Sequence, residues 1–181
     1  MNKGDHVLNA VLLSLGAAVL LGVVPSVGVG SGSVSRPATL AAAGLAVAEE
    51  FVRFGVPVTL GALFPDVDTH FGRHRKTLHN VFVLGVFVAY PVVFSNLQFV
   101  WIGVLTHLIL DFAGSGRGVA FFYPLSDEEF ALPGGVTTSS RYATPLTVAI
   151  TAVELAIAAA VHYYLVPLDV NAAVATRALG I

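Results

Sequence analysis

Long apolar runs separated by short polar joints constrain this chain more than any other feature, and the joints hold most of its His and Asp residues. Apolar stretches cover residues 8–29, 38–64, 80–94, 99–113 and 144–166. Several approach or exceed the ~20 residues needed to cross a bilayer. The chain is 56% hydrophobic and 11% charged, far from the ~25% charged of a soluble domain. Its mean hydropathy of +0.83 points the same way. The pattern predicts an all-α, polytopic membrane helix bundle of about five transmembrane helices, with residues 1–181 as a single domain.

Composition also excludes classes of function. A net charge of -2 leaves no basic footprint for nucleic acid. Cysteine is absent, so neither disulfides nor thiolate metal sites exist and any metal must be held by nitrogen and oxygen. The run at 8–29 is longer than the ~7–15 residues of a signal-peptide core and is read as a membrane segment. Gly and Ser residues make 28–37 a loop, 66–76 is a short polar stretch, and 114–142 is a long connection containing Pro and Gly. Inside the second segment, Glu49 and Arg53 stand at i, i+4 and can neutralise each other, with Glu50 beside them. Glu154 interrupts the fifth segment without an obvious partner. His162, beside Tyr163 and Tyr164, reads as part of an aromatic belt.

If all five segments cross, the N-terminus and the stretches 66–76 and 114–142 share one face. That face carries Lys3, Arg73, Arg75, Lys76, Arg117 and Arg141, against Arg36 and Arg177 on the other. The positive-inside bias then makes it the cytoplasmic face of a multi-pass plasma-membrane protein. The same arithmetic gathers His6, Asp66, Asp68, His74, His79, His107 and Asp111 there. Imidazole with carboxylate is donor chemistry for a divalent metal. His107 and Asp111 stand at i, i+4 and project from one helix face. They suit a two-ligand platform, or equally a hydrogen-bonded polar pair. Asp66 and Asp68 form a D-x-D pair directly after Pro65, a pattern shared by ligands, general bases and plain turns. His70, His74 and His79 fall within one short stretch, with His70 the bystander.

Gly61-Ala-Leu-Phe-Pro-Asp-Val-Asp68, His74-Arg75 with His79, and His107-Leu-Ile-Leu-Asp111 leading into Phe122-Tyr-Pro-Leu125 resemble the YdjM-type membrane-bound metal-dependent hydrolases. His6, ahead of the first apolar run, fits that family as well. Leu78 and Asn80 depart from its H-R-x-x-T-H-S element, where Thr and Ser are usual. The order of Asp66, His79 and the H-x-x-x-D pair is also similar to zinc-dependent phospholipase C, which implies phosphoester hydrolysis by analogy.

The expectation is a membrane-bound hydrolase using one or two divalent ions, zinc first. His6, Asp66, Asp68, His74, His79, His107 and Asp111 are its candidate ligands, with His79, His107 and Asp111 the firmest. Metal coordination would lower the pKa of bound water to about 7, and whichever of Asp66 and Asp68 does not ligate would act as general base. Arg75, Lys76 or Arg117 would clamp a phosphate, and the stretch 115–118 would offer backbone N–H groups to an anion or form a plain turn. The expected partners are the lipid bilayer and a phospholipid or other phosphoester. Two other classes use the same residues: a small metal or proton transporter, and a non-catalytic protein with a closed structural metal site.

Overall fold

The computed structural model describes residues 1–23 and 40–164. The expected loop at 28–37, the segment ends beyond 23 and 164, and Arg36 and Arg177 lie outside the described residues. The described chain is all-helical. Helix α1 spans Lys3–Val23, α2 Leu40–Leu63, α3 Val81–Phe94, α4 Val100–Gly114 and α5 Ala143–Tyr164, with a 3-10 helix at Pro65–His70 between α2 and α3. No strand occurs among the described residues. Two isolated bridges, Ser115 to Val136 and Val119 to Phe130, fold the α4–α5 connection over the helix ends.

Local chemistry sets the helix ends. Asn2 Oδ1 accepts from the Asp5 amide at 2.9 Å and Asp5 Oδ2 from the Asn2 amide at 3.0 Å, a reciprocal cap. That cap starts α1 at Lys3, so His6 lies in its first turn rather than ahead of the segment. Helix α2 ends at Leu63, and Pro65, which has no amide hydrogen to donate, opens the 3-10 helix directly after Phe64, whose backbone stays helical at φ -61° and ψ -47°. Asn80 caps α3 by accepting from the Phe82 and Val83 amides at 3.1 and 3.0 Å. Three left-handed residues, Ser95, Leu97 and Phe99, reverse the chain between α3 and α4.

Lengths correct the expectation of five equivalent spans. Only α1, over Lys3–Leu21, and α5 are long and apolar enough among the described helices to cross a membrane. At 14 and 15 residues, α3 and α4 reach only about 21–23 Å at 1.5 Å per residue, short of the ~30 Å hydrocarbon core. The 24 residues of α2 suffice in length but include Glu49, Glu50 and Arg53. There Arg53 Nη1 meets Glu50 Oε1 at 3.8 Å, one turn away.

Successive helices alternate in direction, so one end of the bundle collects the starts of α1, α3 and α5 and the finishes of α2 and α4. Met1, Leu110 and Ala143 pack together at that end. The crossing of α2 on α4 is backbone against backbone. A Cβ at Gly61 would overlap the Val100 carbonyl oxygen, and one at Gly103 the Val58 carbonyl oxygen. Small residues let helices approach this closely where side chains cannot. Ala10, Phe54, Val58 and Ala62 fill the α1–α2 seam, with Phe99 stacked on Phe54. Helix α3 buries none of its residues and exposes Phe82, Val86, Val92, Val93 and Phe94. His162 is buried at the far end of α5 rather than displayed in a belt.

Candidate metal centre

Four elements deliver side chains to the collected end. The first turn of α1 supplies His6, the 3-10 helix Asp66 and Asp68, the joint before α3 supplies His74 and His79, and α4 supplies His107 and Asp111. All seven expected residues are brought together. All are buried except His74, whose side chain is about one-third exposed.

His107 stands one turn along α4 from Gly103, so the close α2–α4 crossing brings it against the end of α2. Its Nδ1 lies 2.6 Å from the Ala62 carbonyl oxygen. A carbonyl only accepts, so Nδ1 carries the proton and Nε2 presents a lone pair. His79 is fixed likewise: Nδ1 lies 3.0 Å from Asp68 Oδ2. The two Nε2 atoms then face each other at 3.0 Å. Opposed lone pairs repel unless a cation sits between them, which is the arrangement a metal ion relieves. Asp111 Oδ2 lies 3.7 Å from each of these nitrogens. A tetrahedral ion with bonds of about 2.0–2.2 Å separates its donors by about 3.3–3.6 Å, so His79, His107 and Asp111 are spaced for one.

Asp66 Oδ1 lies 3.7 Å from His79 Nε2 and 3.8 Å from His107 Nε2. It joins two further ligand-competent groups, one with His6 and His107, the other with His74 and His79. His6 stacks on His107 with ring centroids 3.7 Å apart. It is buried with neither ring nitrogen hydrogen-bonded, its Nε2 resting 3.5 Å from Asp111 Oδ1. Buried polar groups are seldom left unsatisfied, and an orphaned imidazole beside two carboxylates also fits a metal.

The carboxylates divide by position. Asp111 turns Oδ1 to the Arg75 guanidinium at 3.0 Å and to the Met1 amino group at 2.8 Å, leaving Oδ2 for the centre. Asp68 stands behind His79, not in front of it. Its oxygens meet His74 Nδ1 at 3.0 Å, His79 Nδ1 at 3.0 Å and the Leu78 amide at 3.3 Å. Burial pushes Asp66 up, but the adjacent His79, with His107 and His6, outweighs it and holds the carboxyl down to about 2. For Asp68, burial is again outweighed, by the hydrogen bonds from His79 and His74, and its pKa is lowered. Burial lowers His79, yet Asp66 and Asp68 raise it more.

The expected phosphate contacts fare differently. Arg75 is buried and committed to Asp111 and to the Arg117 carbonyl. Lys76 Nζ is bound to Asp127 at 3.0 Å and lies 3.5 Å from Glu129. Arg117 is 61% exposed, its Nε 3.9 Å from Glu129. Within 115–118 the Gly116 amide donates to the Val136 carbonyl and the Arg117 amide to Ser115 Oγ, so those two donors are already used.

Sequence reasoning missed Asn80 as a positioning residue. Besides capping α3, its Nδ2 donates to the Lys76 and Thr77 carbonyls at 3.0 and 2.9 Å, closing the joint that carries His74 and His79. An Asn directly before an apolar run is a cap signal that was readable. The Ala62 carbonyl, a backbone atom, left no sequence signal.

The model of the YdjM inner membrane protein family matches residues 1–178. The chain belongs to that family. No curated protein and no solved structure matches it. Among the described residues of this family member, three groups of His and Asp could hold a metal ion.

Because Asp68 holds His79 by its Nδ1, Asp68→Asn is expected to keep the fold and weaken metal affinity by about 10–100-fold, the usual effect of losing such an outer partner. Titration of purified protein with zinc against a competing chelator measures it; unchanged affinity sinks the orienting role.

Proposed function

We propose that this protein is a membrane-embedded, metal-dependent hydrolase acting on phosphoesters. The observation that carries the reading is the convergence of His79 Nε2, His107 Nε2 and Asp111 Oδ2 within 3.0–3.7 Å of one another. Those three residues hold one divalent ion, zinc by donor type, with Asp66 bordering the remaining position. When bound, the ion supplies Lewis acidity and lowers the pKa of a coordinated water to about 7.

The chain's own groups do the rest. Asp68 and the Ala62 carbonyl fix the tautomers of His79 and His107. Arg75 neutralises the outer oxygen of Asp111 and holds its inner oxygen toward the centre. Asp66, held down to about 2, serves as ligand or hydrogen-bond acceptor better than as a base, since a general base works best near the operating pH. His74, the one imidazole of the set open to solvent, is the group suited to carry protons in and out. Of the three expected anion contacts, Arg117 is the exposed one and receives the substrate phosphate.

The bundle lies in the membrane with all five helices embedded, α3 and α4 being too short to reach both surfaces unaided. Lys3, Arg73, Arg75, Lys76, Arg117 and Arg141 belong to the end that holds the centre, which supports a cytoplasmic orientation.

Stoichiometry separates the metal arrangements. Each of His79 and His107 has only Nε2 to offer, so the group they form with Asp111 takes one ion. Two ions would require the other two groups, sharing Asp66 as a bridge. Metal content of detergent-purified wild type by mass spectrometry, with hydrolysis of a chromogenic phosphodiester before and after chelation, tests the reading. About one equivalent, with hydrolysis lost on stripping and restored by zinc, is expected. No bound metal after incubation with zinc or manganese overturns the centre, whereas bound metal without hydrolysis leaves a structural metal site in its place.

A further inference from the structure

The hydrolase reading leaves one buried cluster unused, a polar knot in the apolar middle of the bundle. Asn9 of α1, Thr106 of α4, and Thr151 and Glu154 of α5 meet there. Asn9, Thr106 and Thr151 are fully enclosed and Glu154 is half-buried. Asn9 Nδ2 donates to Thr151 Oγ1 at 2.8 Å and to Glu154 Oε2 at 2.7 Å. Thr151 passes its own proton to the Thr147 carbonyl at 2.8 Å. Thr106 Oγ1 lies 2.6 Å from both Asn9 Oδ1 and Glu154 Oε1.

Hydrogen counting decides what this knot contains. The Thr106 hydroxyl has one hydrogen, yet it touches two oxygens that only accept if Glu154 is ionised. One of the two short O···O contacts would then have no hydrogen in it. Turning the Asn9 amide over moves the fault without curing it. Thr106 then donates to Glu154 Oε1, but Asn9 Oδ1 faces Glu154 Oε2 at the 2.7 Å contact with no hydrogen between them. Both amide orientations need one further proton, and only the carboxyl can carry it. A metal cation does not serve instead. Oxygens 2.6 Å apart are closer than the donors around even a small ion, which stand about 3 Å apart or more at bond lengths of about 2.0–2.1 Å. A proton is the only cation that fits.

We propose that Glu154 is a proton-binding site that holds its acid form at neutral pH. Its O–H donates to Thr106 Oγ1, Thr106 donates to Asn9, and Asn9 donates back to Glu154, tying α5 to α1 and α4. Every donor and acceptor is then used, which is what allows a carboxyl to sit among apolar helices. The titratable residues nearest along the packed helices, Asp5 and His6 on α1 and His107 on α4, are engaged at the capping box and the metal centre. The contacts of Glu154 are with Asn9 and Thr106. The knot sits one turn from His6 through Asn9 and next to His107 through Thr106, so it positions both helices that flank the centre.

Infrared spectroscopy of the full chain in phosphatidylcholine vesicles at neutral pH tests this directly. The wild-type minus Glu154→Gln difference is expected to contain the C=O stretch of a protonated carboxylic acid. A difference containing only carboxylate bands overturns the proposal. Glu154→Gln is expected to melt like wild type, because its amide can donate to Thr106 and accept from Asn9, whereas Glu154→Ala melts lower. A Gln variant as unstable as the Ala variant counts against it. Should neither variant accumulate, wild type labelled with carboxyl-13C glutamate decides. An acid C=O band that moves with the label supports the site, and no such band at neutral pH removes it.

Discussion

Alanine at both His107 and Asp111 is expected to reduce bound metal from about one equivalent to near zero and to abolish metal-dependent hydrolysis. Those residues supply two of the three donors around the candidate ion, and the third, His79, cannot hold it alone. The double change also strips Arg75 of its buried carboxylate partner. Leaving a buried charge unpaired costs about 3–5 kcal/mol, so loss of metal must be separated from loss of fold. His107→Ala alone removes a donor and leaves the Arg75–Asp111 pair intact. That single variant should still run as a folded species in size-exclusion chromatography while carrying little metal. Wild-type metal content in a folded His107→Ala protein would show that the ion lies elsewhere.

Valine at Gly103 is expected to be the most damaging single change outside the centre. Its Cβ would enter the space of the Val58 carbonyl and the Ala62 amide nitrogen, which are backbone atoms and cannot rotate aside. Overpacking of a well-packed contact costs about 1–3 kcal/mol, occasionally more, and backbone overlap belongs at the upper end. The damage should reach the centre, because Ala62 is also the residue whose carbonyl fixes His107. Gly103→Val should therefore melt well below wild type in detergent and bind zinc poorly even where folded. Gly85→Val is the control, since a Cβ at Gly85 meets nothing within 4 Å. Equal melting of the two variants would refute the tight α2–α4 crossing.

How well the chain could be read depended on the kind of signal. Mainly apolar runs on either side of Ser95 and Asn96 placed α3 and α4 within a residue of their observed limits. The first helix was read as starting at residue 8 because hydrophobicity alone was counted, while a polar cap from Asn2 and Asp5 begins it at Lys3. Counting apolar residues also made every run a span, although fourteen or fifteen helical residues are too short. The basic residues were legible as a group but not as individuals. Nothing in the one-letter string distinguishes Arg75, folded inward with φ of 66° to meet Asp111, from Arg117, left outside.

Residue type and spacing were enough to specify a nitrogen–oxygen donor set, to put His107 and Asp111 on one helix face, and to bring seven candidate ligands to one end of an all-helical bundle. Within a helix the 3.6-residue period fixes relative direction, so no tertiary knowledge was needed for that step. Which donor faces which was decided by packing between elements. The rotation of α4 against α2 follows from two glycines in contact across distant sequence, and it turns His107 Nδ1 onto the Ala62 carbonyl and Nε2 toward His79. The same long-range placement put Asp68 behind His79 and drew Glu154 onto Asn9 and Thr106. Spacing along a chain carries no information about such pairings, because each arises from surfaces that meet only after the helices have packed.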